Sequence, residues 1–108
     1  IGHIADTERI MAYRLLRFAR GDQTALAGYD DNSYVIEAAF HSRSLKNLLE
    51  EFSVVRLSTI SLIKNLPDAS WNKKGIANNG EISVAALAYI IAGHELHHRR
   101  IIEEKYLI

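Results

Sequence analysis

Apolar residues recur every three or four positions along three long stretches of this chain, a spacing that commits it to amphipathic helices. The first stretch runs from about Ile1 to Ala19, with Ile4, Met11, Leu15 and Phe18 on one stripe and Gly21 at the exit. The second opens at Ser44, a good N-cap, carries Leu45, Leu48, Leu49, Phe52, Val55, Ile60 and Ile63, and stops before Pro67. The third starts near Ser83 and continues to about Tyr106, with Val84, Leu87, Ile91 and Ile101 turned inward. Strand-like alternation is sustained nowhere, so the expected class is all-α.

Two irregular connections join the helices. From Gly21 to Arg43, the residues Gly28, Asp30, Asp31, Asn32 and Ser33 predict a long loop with a short helical turn around Tyr34 to Ala39. Connections of that length are often functional. The second loop, Pro67 to Gly80, holds Gly75, Asn78, Asn79 and Trp71, the last expected to pack as a lid on the bundle end.

A length of 108 residues implies one domain covering 1–108, and a domain this small hides only about two-thirds of its unfolded surface. It needs an efficient core or a second subunit. Ile1 already follows the helical pattern with no cap in front of it, so the chain is expected to begin inside a helix and to be N-terminally incomplete. Three helices leave an apolar groove open, which predicts a fourth helix or a homodimer.

Thirteen basic residues balance thirteen acidic ones, which leaves no long-range field to gather nucleic acid. With no cysteine there is no disulfide, thiolate nucleophile or Cys-type zinc site. The longest uncharged apolar run, Ile82 to Gly93, falls short of the ~20 residues that span a bilayer. The opening residues lack the pattern of a signal peptide, so a cytoplasmic protein that binds neither membrane nor nucleic acid is expected.

The chemistry concentrates in His94-Glu95-Leu96-His97-His98. His94 and His98 are one turn apart on one helix face, a spacing that lets two imidazoles share a divalent ion. Both fall on the inward stripe with Leu87, Ile91 and Ile101, where a polar side chain needs a partner. The bland alternatives are a solvated face leading into Arg99 and Arg100, or core histidines bonded to backbone. His97 points elsewhere, and His41 has no periodic support. The best third ligand is His3, which shares a face with Asp6, Thr7, Ile10, Arg14 and Arg17; its bland reading is an exposed histidine near a chain end.

The same five residues satisfy H-E-x-x-H, the zinc-peptidase helix in which the glutamate is the general base. Ile101 replaces the glycine of the longer metzincin form, and only ten residues follow His98 to supply a further ligand. The row Arg9, Arg14, Arg17 and Arg20 could face an anionic substrate, but Asp6, Glu8 and Asp22 are near enough to pair with it, and a solvated face is the expected reading. Tyr13, Tyr89 and Tyr106 read as core or rim residues.

Gly2-His3-Ile4-Ala5-Asp6-Thr7-Glu8-Arg9 and Ala88-Tyr89-Ile90-Ile91-Ala92-Gly93-His94-Glu95-Leu96-His97-His98 together resemble the DinB/YfiT superfamily of metal-dependent enzymes. Arg17-Phe18-Ala19-Arg20-Gly21-Asp22 and Ser44-Leu45 followed by Leu48-Leu49-Glu50-Glu51-Phe52 extend the resemblance along the whole chain. It implies an up-down-down-up four-helix bundle of which this sequence carries three long helices and lacks the first. It also implies a three-histidine metal site at His3, His94 and His98, with His97 matching no ligand position. Proteins similar to this one bind nickel, zinc or another divalent ion, and some transfer low-molecular-weight thiols or isomerise thiol adducts.

The expectation is therefore a DinB-like enzyme, a thiol S-transferase or hydrolase of small molecules, holding one divalent ion on His3, His94 and His98. Imidazoles alone do not choose among zinc, nickel and iron. Glu95 and Asp6 are the acidic candidates for orientation or proton transfer. The partners expected are a second copy of the chain and a small-molecule substrate or thiol cofactor. The rivals are a non-catalytic dimerising bundle with a structural metal site and, more distantly, an H-E-x-x-H peptidase.

Overall fold

Helix ends in this chain are written in its capping residues. The computed structural model describes residues 2–94. Helix α1 (Gly2–Ala19) stops where Gly21 turns left-handed at φ 80°. There Gly21 N donates to Phe18 O at 2.9 Å and Asp22 N donates to Arg17 O at 3.0 Å, a Schellman closure that satisfies the last carbonyls. Helix α2 (Asp31–Ala38) is capped by Asp30, whose carboxylate accepts from Asn32 N and Ser33 N. It is followed by a 3-10 turn, Phe40–Ser42. Helix α3 (Leu45–Lys64) begins with Ser44 Oγ accepting from Asn47 N at 3.1 Å, the cap its sequence predicts.

The absence of strands predicted for this chain is overturned between α3 and the last helix. After a 3-10 turn at Asp68–Asn72, strands β1 (Lys74–Ala77) and β2 (Gly80–Ser83) pair antiparallel, with Lys74 opposite Ser83 and Ala77 opposite Gly80. Four-residue strands are too short for alternation to register. Asn78 and Asn79, both with positive φ, form the tight turn that closes the hairpin. The hairpin leads directly into helix α4, described over residues 84–94, whose first turn is capped by Ser83 Oγ accepting from Ala86 N at 3.0 Å.

The core gathers Leu15, Phe18 and Ala19 of α1 with Leu66, Ala77 and the α4 residues Val84, Leu87 and Ile91. Trp71 is half-buried and packs on the edge of this cluster. Gly75 is buried because Phe18 lies across it, and a Cβ there would collide with the ring. Glu8, buried on α1, accepts a bidentate pair from Arg56 of α3 at 2.6 and 3.1 Å and ties the two helices together. The molecule is thus mostly helical, as expected, with a small sheet added. Leu45, Leu49, Val54, Leu57 and Ile60 of α3 remain exposed. No helix among the described residues is long and apolar enough to cross a membrane.

Candidate functional site

The site grows from the periodic line of α1. His3, Thr7 and Arg14 fall at successive turns and line one side of a cleft of about 530 Å³, with Met11 between them. Residues 28–32 form the facing wall, and Asn78 of the hairpin turn with Ile90 and His94 of α4 completes the lining.

Non-local bonds hold that facing wall in place. Leu26 N donates to Ile76 O at 2.8 Å and Asn78 N donates to Leu26 O at 3.0 Å, so the segment after α1 runs beside β1 as a short parallel bridge. Asn78 approaches Gly28 so closely that a Cβ at Gly28 would overlap its side chain. Arg14 adds a third tie, donating from Nη2 to Ala27 O at 3.1 Å while its guanidinium lies 5.8 Å from the centre of the Tyr29 ring.

The two histidines of the cleft meet edge to face. The His3 and His94 ring centroids lie 5.4 Å apart with an interplanar angle of 79°. Both side chains are half-buried. A metal bonded to an imidazole nitrogen sits about 3.2 Å from the ring centre, so two imidazoles at a tetrahedral angle hold their centres about 5 Å apart. The observed separation fits that requirement.

His98, Glu95 and His97 lie outside the described residues. Among the described residues no three His, Asp or Glu side chains cluster as a complete metal site. Asp6 stands beside Arg9, 4.0 Å from Nη1, and is not one of the side chains lining the cleft. His41 is exposed in the 3-10 turn.

One cleft group escaped the sequence reading, and another was read only as part of the face that carries His3. Tyr29 lies half-buried, and burial pushes its phenol above its usual pKa, leaving it a proton donor at neutral pH. Its only sequence signal was membership of a long loop. The Thr7 hydroxyl is buried and, among the described residues, has no partner in hydrogen-bonding geometry, although the Tyr29 phenol is close enough to feel it. The arginine row also divides. Arg9 pairs with Glu51 at 2.6 Å and Arg17 with Asp22 at 2.5 Å, both partly exposed, whereas Arg14 turns inward and is 8% exposed. The reading of Arg14 as part of a solvated face is therefore corrected. Tyr13 and Tyr89 are exposed.

With histidines from both ends of the described chain facing one cleft, the family match acquires a structural setting. The DinB superfamily matches over residues 1–102. The chain belongs to the DinB superfamily. No curated protein and no solved structure matches it. Within this DinB protein the family match covers α1, α4 and everything between them, so both histidine-bearing segments fall inside it.

Proposed function

We propose that this DinB protein is a metal-dependent enzyme whose single divalent ion is held by His3, His94 and His98, and that it transfers or hydrolyses small molecules, thiol adducts foremost. The observation that supports the reading is the 5.4 Å approach of the His3 and His94 rings inside a cleft. The sequence spacing of His94 and His98, four residues, is the one at which a helix would present both imidazoles on one face. Three protein ligands leave an open position, the mark of a catalytic rather than a structural site.

When bound, the ion supplies a Lewis acid that favours the thiolate or hydroxide form of a nucleophile at neutral pH. The chain's own groups do the rest. Tyr29 offers a phenol proton across the cleft and Thr7 a hydroxyl one turn from His3; Glu95 is the carboxylate for proton transfer, and Asp6, outside the lining and beside Arg9, is left an orienting role. The same reading carries the finer architecture, an up-down-down-up bundle in the cytoplasm whose exposed α3 face is covered by a second copy.

The test is elemental analysis of protein purified without a histidine tag, followed by assays of the metal-loaded and chelated forms with cellular thiols and small electrophiles. Metal-dependent turnover is expected. A closed four-ligand centre with no exchangeable water and no turnover would favour the structural rival instead.

A further inference from the structure

Arg14 is the one basic side chain of the α1 row that leaves the surface, and no ion pair accompanies it inward. It is 92% buried, and no carboxylate among the described residues lies within 4.0 Å of it. A guanidinium carries five N–H donors, of which the Ala27 carbonyl takes one at 3.1 Å. A buried guanidinium with no carboxylate in contact is expensive, the Tyr29 ring 5.8 Å away offsets only part of that cost, and the side chain lines the same cleft as His3 and His94.

We propose that Arg14 binds the carboxylate of the small molecule whose reacting end lies at the histidine site, an assignment that rests on the metal reading above. Arg14 follows His3 by eleven residues, about 16 Å along the helix, and because both side chains lean toward the N-terminus only the greater length of the arginine shortens the gap, by about 2 Å. That distance suits a molecule several bonds long, held at both ends. The planar fork of a guanidinium matches a carboxylate in two parallel hydrogen bonds. The ligand class is therefore a short carboxylic acid with a nucleophilic or electrophilic group at its far end.

The test compares 6-mercaptohexanoate with 6-mercapto-1-hexanol, equal in length and different only in the carboxylate. In cobalt-loaded protein, sulfur-to-metal absorption reports binding of each. The parent is expected to prefer the acid by about tenfold or more, and Arg14→Gln, which keeps a donor side chain and loses the charge, to erase the preference in protein that circular dichroism shows to be folded and that takes up cobalt as the parent does. Arg14→Lys, which keeps the charge and loses the fork, should fall between. Equal affinities in the parent would overturn the assignment.

A second arm needs no metal. The Nε–H resonance of Arg14 in metal-free protein, identified by its loss in Arg14→Lys, should shift with the acid and stay fixed with the alcohol. A resonance that ignores the acid overturns the role of Arg14 even if cobalt binds. Failure of cobalt to bind, with the resonance still moving, overturns the metal reading alone.

Discussion

Single side chains in this protein divide between those that hold helices together and those that face the cleft, and pH separates them. Asp22 sits beside the Arg17 guanidinium, which holds its carboxyl down at about 2 against an ordinary 3.8. A depressed carboxyl stabilises the fold above its unfolded pKa and loses that contribution as pH falls through its folded pKa. The contribution is therefore complete above about pH 4 and gone below about pH 2. Asp22→Asn should flatten the fall of melting temperature across that window, and an unchanged acid limb would show that the pair adds nothing. Glu8 is a stronger case because its side chain is 2% exposed while Arg56 stays partly wetted. Glu8→Ala should cost about 2–3 kcal/mol in urea unfolding, since it removes the buried half of a bidentate ion pair between α1 and α3. Much of this scale was legible beforehand. The spacing of His3, Thr7 and Arg14 placed them on one face, but spacing gives direction around a helix and not depth, so Arg14 was grouped with Arg9 and Arg17 on the surface.

Elements were legible where their ends carry local chemistry. Ser44 and Gly21 stop or start helices through bonds to neighbours three to five residues away, and both were readable as caps. Ser44→Ala should cost about 1 kcal/mol. The hairpin was invisible because each strand spans four residues, and because what fixes it is distant: Phe18 over Gly75, and Leu26 bonded to both Ile76 and Asn78. Gly75→Ala should cost about 1–3 kcal/mol, since Phe18 has to move out of a filled core. Asn79→Gly should stabilise by a few tenths of a kcal/mol, because glycine takes the left-handed φ of 65° without strain. Both are read from equilibrium unfolding, and a reversal of either sign would contradict the hairpin's role in closing the cleft wall.

At the scale of the molecule, the cleft exists because α1 and α4 place histidines far apart in sequence against one another. The line along α1 and the inward stripe of α4 made that convergence foreseeable, whereas the wall at residues 28–32 depends on contacts no periodicity records. Because the folded chain presents the imidazoles together and the unfolded chain does not, a divalent ion at one hundred times its dissociation constant should stabilise the protein by about 2.7 kcal/mol. The most direct measurement is metal titration of the parent and of His3→Ala, His94→Ala and His98→Ala, each first shown to be folded by circular dichroism. One ion per chain, with affinity reduced at least tenfold in every variant, is the predicted result. Undiminished binding by His3→Ala would separate the two ends of the polypeptide and contradict the shared site.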